Sequence, residues 1–335
     1  MKRAGNLMEL IADPDNLRLA FCKAAKGKEG KREVQRFRQH LDQNLLALRN
    51  GLLDGTVEVG RYHYFTIYDP KQRLICAASF PERVLHHAIM NVCHPYFERN
   101  FIFDTYATRI GKGTYAALER AFKGLSHYSH VAKMDVRKYF DSISHTVLKQ
   151  KLKRLFKDNQ LLCLFDRIID SYHTREGYGV PIGNLTSQYF ANFYLSEIDH
   201  YAKEELKVPL FVRYMDDILL LGDDREKLKM WVDGITRKAE NLELQLKPST
   251  LFTAESGCAF LGYRICRHKI VLNSRSRRRM IGKWHHYDSL LEQSLMDEKS
   301  YEVHLVPLLS FASHAYTKQL RNSILKDNRR KARTA

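Results

Sequence analysis

The 335-residue sequence predicts an α+β protein, and three observations carry that reading. Leu41, Leu45, Leu48 and Leu52 recur at helical spacing. Tyr62–Tyr68 and Arg73–Cys76 are β-prone runs around the turn residues Asp69, Pro70, Lys71 and Gln72. Phe211-Val212-Arg213 and Ile218-Leu219-Leu220-Leu221-Gly222 flank Tyr214-Met215-Asp216-Asp217 as a second strand–turn–strand. Helices alternating with hairpins imply an antiparallel sheet packed on helices.

Residues 1–59 read as a basic helical arm. Its stretch from Lys23 to Arg38 has few large apolar residues, so it is either a solvated helix face or a surface for RNA or a protein partner. After the first hairpin, Phe80-Pro81-Glu82-Arg83 leads into a helix through Met90. Its His86 and His87 have no second cluster with which to share a metal and are assigned to the helix surface. Arg109-Ile110-Gly111-Lys112-Gly113-Thr114 is a glycine-rich turn before a helix from Tyr115 to Lys123. Val131–Met134 alternates as a short strand that delivers Asp135, with Asp141 or Ser142 assigned as the cap of the next helix. Gly179-Val180-Pro181-Ile182-Gly183-Asn184-Leu185-Thr186-Ser187-Gln188 is a loop whose glycines admit close backbone approach; Ser187 and Gln188 are expected to open the helix that follows. Beyond Asn273 the chain is helical: Trp284, Tyr287, Leu290 and Leu291 supply an apolar stripe, and Arg275, Arg277, Arg278 and Arg279 can follow a duplex backbone.

Adjacent aspartates repel and resist desolvation, so Asp216 and Asp217 between apolar strands call for a cation, of which Mg²⁺ suits carboxylate and phosphate oxygens. The alternative is an ordinary polar turn. Asp135 weighs against it, because three carboxylates suffice to hold two metal ions that activate an attacking hydroxyl and steady a phosphate leaving group.

The net charge of +17 and pI near 9.5 imply a polyanionic partner. Residues 1–53 carry 11 Lys/Arg against 6 Asp/Glu, and residues 267–335 carry 15 against 6, so most of the surplus lies at the two ends. A central acidic site between basic arms suits metal-dependent work on nucleic acid. The six dispersed cysteines form no zinc pattern and read as reduced thiols. The start, broken by Glu9, Asp13 and Asp15, is no signal peptide, and no apolar run reaches membrane-span length; the expectation is a cytoplasmic protein with no membrane partner.

Taken in order, Asp135 with Phe140 five residues on, the Gly183 loop, Tyr214-Met215-Asp216-Asp217 and Phe260-Leu261-Gly262-Tyr263-Arg264-Ile265 resemble the reverse transcriptases from about Tyr62 to the C-terminus. That resemblance implies a right-hand polymerase with fingers and palm over residues 60–268 and a helical basic thumb with the C-terminal tail over 269–335. It implies two Mg²⁺ ions, with Mn²⁺ as the substitute, held by the catalytic Asp135, Asp216 and Asp217 together with Val136. It assigns Arg73, Lys71, Phe140, Ile182 and Gly183 to the nucleotide, Arg73 ahead of Lys71 because a guanidinium grips phosphate two-pronged. Arg109, Ser187, Gln188, Tyr214, Met215, Leu261, Gly262, Arg277, Arg278 and Arg279 are assigned to template and primer.

Within the family, Ile182-Gly183-Asn184-Leu185-Thr186-Ser187-Gln188 resembles the loop of diversity-generating retroelement enzymes, with an aliphatic residue before the glycine and Ser-Gln at the end. This implies copying of a template-repeat RNA, with errors at adenines, into cDNA that replaces a variable repeat in a target gene. The partners implied are that RNA, the cDNA/RNA duplex, dNTPs and a basic oligomeric accessory variability protein, in a bacterial, phage or archaeal host. Retron, intron-derived and phage-defence reverse transcriptases, or a catalytically inactive RNA-binding scaffold, are the alternatives. One departure stands out: Leu246-Lys247-Pro248-Ser249-Thr250 displaces the lysine that the family places directly before the threonine, which keeps Lys247 out of the catalytic set.

Overall fold

The chain divides into two compact units, the first made of Met1–Arg109, Val136–Leu206 and Gly234–Lys247, the second of Ile110–Asp135, Lys207–Asp233 and Pro248–Ala335. The computed structural model describes residues 3–68 and 72–331, and of 325–331 the backbone alone.

The first unit is built on helix Phe80–Glu98, which Pro81 opens at a position where its missing N–H costs nothing. Phe80, Val84, Leu85, Ala88, Ile89, Met90, Cys93 and Phe97 are all buried, an apolar surface too wide for one neighbour. Helix Pro14–Ala25 packs along it, and helix Leu185–Tyr194 also covers it. Asp13 caps Pro14–Ala25 by accepting from the N–H groups of Asp15 and Asn16. Phe21, Phe37 and Phe80 form a ring cluster with centroids 5.3–6.0 Å apart.

The N-terminal segment is therefore integral to this unit. Helix Arg32–Gln39 keeps its arginines outside and buries Val34 and Phe37, two residues one turn apart that a count of large apolar residues underweights. Helix Leu41–Leu53 follows as its leucine spacing predicts, with Leu45 and Leu52 buried. The expectation for His86 fails: its side chain is 1% exposed, and burial, with His87 adding to it, pulls its pKa down to about 3. A helix covered on more than one side has no free face for a histidine at that position. A two-stranded antiparallel hairpin of β1 (Tyr62–Ile67) and β2 (Arg73–Ala78) completes the unit, with Ile67 opposite Arg73. Lys71 lies outside the described residues.

The second unit contains both larger sheets. β3 (His130–Asp135), β4 (Leu210–Tyr214), β5 (Asp217–Gly222) and β6 (Thr250–Thr253) pair antiparallel in the order β4-β5-β3-β6. Ile218, Leu219, Leu220 and Leu221 are each 0% exposed, so β5 is buried on both faces, as its unbroken apolar run requires. Helix Thr114–His127 packs on β4 and β5 through Gly124, whose missing side chain makes room for Leu210 and Leu221.

β7 (Cys258–Phe260), β8 (Tyr263–Cys266) and β9 (Lys269–Leu272) form a separate antiparallel sheet. Its Leu261–Gly262 turn has φ values of 49° and 92°, the doubly left-handed pair that suits a two-residue hairpin loop, with glycine at the more strained second position. Helices Ser274–Glu292, Glu298–Ser313 and Lys318–Lys331 follow, the first two capped by Asn273 and Asp297. Among the described residues no helix is long and apolar enough to cross a membrane.

A Cβ at Gly124 would stand 2.3 Å from Leu210 Cδ2 and 2.9 Å from Leu221 Cδ2. Gly124→Leu is expected to lower stability by about 1–3 kcal/mol through overpacking, read as an earlier urea midpoint. An unchanged midpoint would mean that the helix does not rest on the sheet at this residue.

Candidate active site

In the second unit the antiparallel register sets Asp135 opposite Asp217, and Tyr214 opposite Asp217 on the other side of β5. Met215 and Asp216 are thus the whole turn between β4 and β5. Met215 has φ = 54°, a conformation that costs a non-glycine residue roughly 1 kcal/mol or more. Two neighbours brace it. Arg213, fully buried, donates from Nη1 to the Met215 carbonyl at 3.1 Å, and the Tyr214 hydroxyl accepts from Thr114 Oγ1 at 3.1 Å.

Alternate residues of a strand share a face, so Lys133 projects on the same side of β3 as Asp135. Its Nζ lies 3.1 Å from Asp217 Oδ1 and donates to the Ala259 carbonyl of β7 at 2.9 Å. Lys133 and Asp217 are 26% and 28% exposed, so the pair is partly desolvated. Burial pushes the neighbouring Cys258 thiol up to about 12, against the pull of Lys133.

Among the described residues no three His, Cys, Asp or Glu side chains form a ready-made metal cage. The donor chemistry nonetheless fits Mg²⁺, which takes one or two carboxylates and completes its shell with water and phosphate oxygens. An ammonium group against Asp217 marks a place where positive charge is accommodated.

In the first unit the glycine loop is stitched to the edge of β2. The Cys76 N–H donates to the Ile182 carbonyl at 2.9 Å, and the Ala78 N–H to Asn184 Oδ1 at 3.0 Å. Gly183, at φ = 120°, lies where a Cβ would meet Ile75 Cγ2 at 2.9 Å, so both conformation and space demand glycine. The helix opens at Leu185 with Asn184 as its cap residue, two positions before the expected opening at Ser187 and Gln188. Asn184 makes no side-chain cap bond, because its oxygen is engaged by β2.

Ile182 is half-buried, Ser187 buried and Gln188 exposed. Phe140 is half-buried, edge-on to Tyr139, and its carbonyl accepts from the Val180 N–H at 2.9 Å. Val136, the residue after Asp135, is buried and bridged to Leu246. Arg73 is exposed. Arg109 is 7% exposed and donates to Glu98 and to the carbonyls of Ile102 and Thr105, which closes its own loop. The helix directly after Asp135 is the short Tyr139–Ser142, with Asp141 and Ser142 inside it and not at its cap; Ser144 caps the next helix, His145–Leu155, by accepting from the Val147 N–H.

In the second unit, a Cβ added at Gly262 would meet Ser276 Oγ at 3.1 Å and Phe311 Cζ at 3.2 Å, and Tyr263 donates to the Phe311 carbonyl at 2.8 Å. Arg277 and Arg278 are exposed on helix Ser274–Glu292, and Arg279 is half-buried. Sequence reasoning missed Lys133, Arg213 and Asn184. Only Lys133 left a signal, its position two residues before Asp135.

Gly183→Ala is expected to loosen the loop from β2 by about 1–3 kcal/mol, the cost of a strained backbone, and so to speed amide hydrogen exchange at Cys76 and Ala78 roughly tenfold or more. Unchanged exchange at both amides would show that the glycine is dispensable for this junction.

The reverse transcriptase (RNA-dependent DNA polymerase) family profile matches residues 68–265. Protein YkfC of Escherichia coli is 21% identical over 321 residues, covering 80% of this chain and 84% of the relative. An uncharacterized 91 kDa protein in a cob intron of Schizosaccharomyces pombe is 25% identical over 142 residues, 41% of this chain and 18% of that protein. Telomerase from Candida albicans, solved with a fragment of telomeric RNA, aligns with a TM-score of 0.49 at 16% identity, covering 79% of this chain and 56% of that one. Telomerase from Candida tropicalis gives 0.49 at 12% identity, over 76% and 53%. The chain spans about half the length of these telomerase chains. With helices, antiparallel sheets and an Asp135–Asp217 pairing that lie within or about the matched region, the chain belongs to the reverse transcriptase family and has its mixed α/β right-hand polymerase fold.

Proposed function

We propose that the protein is an RNA-directed DNA polymerase of a diversity-generating retroelement, copying a template-repeat RNA into cDNA with errors at adenines. The observation that carries the polymerase reading is the cross-strand pairing of Asp135 with Asp217 beside the Asp216 turn. These carboxylates, with Val136 next in the chain to Asp135, would hold two Mg²⁺ ions, which would supply Lewis-acid activation of the primer hydroxyl and charge neutralisation on pyrophosphate. Met215 and Tyr214 meet the primer end, Leu261 and Gly262 grip the primer, and Arg277, Arg278 and Arg279 follow the duplex backbone. Fingers and palm occupy 60–268 and the thumb 269–335.

Arg73 and Lys71 meet the triphosphate, while Ile182 and Gly183 form the loop beside the nascent pair. Phe140 lies under the sugar and leaves no room for a 2′-hydroxyl. Arg109, Ser187 and Gln188 support the template side, Arg109 and Ser187 from buried positions. The retroelement subtype rests on Ile182 before Gly183 and on Ser187-Gln188. An aliphatic Ile182 makes no side-chain hydrogen bond to template or nucleotide, and the loss of a contact worth about 0.5–1.5 kcal/mol relaxes fidelity several-fold. The partners follow from this reading: the template-repeat RNA, dNTPs and a basic accessory protein. The intron-borne relative in Schizosaccharomyces pombe favours a second reading, an intron-derived reverse transcriptase.

Sequencing cDNA made from the native RNA separates the two. Misincorporation concentrated opposite adenine is expected, and an even error spectrum would leave the intron-derived reading. Asp135→Asn or Asp216→Asn is expected to leave RNA binding intact and to cut Mg²⁺-dependent dNTP incorporation by about three orders of magnitude, the scale of several kcal/mol of metal stabilisation. Near-wild-type incorporation by either variant would remove that residue from the site. Phe140→Ala is expected to raise the rNTP/dNTP efficiency ratio; an unchanged ratio in a folded variant would reassign the ring to packing.

A further inference from the structure

Among the described residues Lys133 stands beside the carboxylates, and the proposed chemistry gives it no task. It stands on β3, two residues before Asp135 and on the same strand face, with its ammonium group 3.1 Å from Asp217 Oδ1. The same group donates to the Ala259 carbonyl at 2.9 Å, on the strand that leads into the Leu261–Gly262 turn. Its position is fixed from both ends: β3 is an inner strand, paired with β5 and β6, and Ala259 belongs to a different sheet.

A lysine lying loosely on the surface would gain little from Asp217, since exposed pairs are screened and entropically costly. Here the stem is confined by two strands and the pair is about three-quarters covered, so the ammonium is held where Asp217 needs a counter-charge. The antiparallel register supplies the reason for that need, because it forces Asp135 and Asp217 to face each other.

We propose that Lys133 is a positioning residue, the resident counter-ion of Asp217, which an arriving metal ion must displace from the carboxylate. This rests on the metal reading of Asp135, Asp216 and Asp217. Lys133 holds the carboxylate in place and offsets its repulsion from Asp135 while the metal is away. When a divalent ion binds Asp217, the ammonium gives up that oxygen and retains the Ala259 carbonyl. Lys133 therefore lowers metal affinity in the absence of nucleic acid, and ties release of the carboxylate to the hairpin of β7 and β8.

The test is Mn²⁺ binding to the full-length protein without nucleic acid, followed by electron paramagnetic resonance and calorimetry. Lys133→Gln retains a donor for the Ala259 carbonyl and removes the charge; Lys133→Met removes both. Both are expected to bind Mn²⁺ about three- to tenfold more tightly than wild type, the effect of deleting one nearby, partly screened unit charge. Lys133→Arg is expected to match wild type, and in an Asp217→Asn background Lys133→Gln is expected to have no effect. If Lys133→Met does not fold, Lys133→Gln alone decides the outcome. Wild-type or weaker Mn²⁺ affinity in Lys133→Gln, at a site that Asp217→Asn abolishes, would overturn the counter-ion role and leave the metal reading standing. Absence of any Mn²⁺ site dependent on Asp217 in the wild-type protein would overturn both.

Discussion

The antiparallel register between β3 and β5 is the constraint on which the second unit depends. It puts Asp135 across from Asp217 at a Cα spacing of roughly 4.5–5.5 Å. Two carboxylates at such a distance repel by roughly 3 kcal/mol at an effective dielectric near 20. What holds the register is the strand behind them. Ile218, Leu219, Leu220 and Leu221 are fully buried, and each contributes about 1.5–3 kcal/mol of hydrophobic stabilisation. Because both faces of β5 are covered, a one-residue slip would keep those side chains apolar and buried but would force all four to repack at once against close-packed neighbours. Core burial thus outweighs the repulsion, and the sheet can hold two like charges in a place useful to a cation.

The strain at the tip follows from the same geometry. A two-residue turn between β4 and β5 pushes Met215 into the left-handed region, where glycine would be at ease. Arg213 supports that turn from below, donating to the Met215 carbonyl from a wholly buried position. A non-glycine residue retained under strain, with a buried guanidinium to brace it, is the pattern of a turn shaped for its side chains and not for stability. The first unit has its counterpart in the Gly183 loop, where β2 supplies N–H donors to Ile182 and Asn184 and a methyl of Ile75 leaves no room for a side chain.

Local pattern made much of this legible. The leucine spacing gave the bounds of helix Leu41–Leu53, and both hairpins around Tyr62–Ala78 and Tyr214–Asp217 were readable from β-prone runs and turn residues. The positions of the three aspartates followed from strand ends. What escaped depends on distant partners. Lys133 is separated from Ala259 by 126 residues, and Asn184 from Ala78 by 106, so no window of sequence contains either bond. Asn184 appears to local reasoning as a loop residue when it is both the cap position of a helix and an acceptor for a strand. His86 was misread because exposure of a polar residue is a default that tertiary covering overrides. The basic N-terminal segment is helical with its arginines exposed, but its docking was not legible from composition, since Val34 and Phe37 suffice to seat a short helix that is otherwise charged.

Extension by one nucleotide tests the central claim most directly: purified wild-type protein, a DNA primer annealed to RNA, the complementary dNTP and a Mg²⁺ titration. The expected result is incorporation that rises with Mg²⁺ and stops under excess chelator. A protein that binds the primer–template duplex but adds no nucleotide at any Mg²⁺ or Mn²⁺ concentration would contradict the polymerase reading of the Asp135–Asp217 pair.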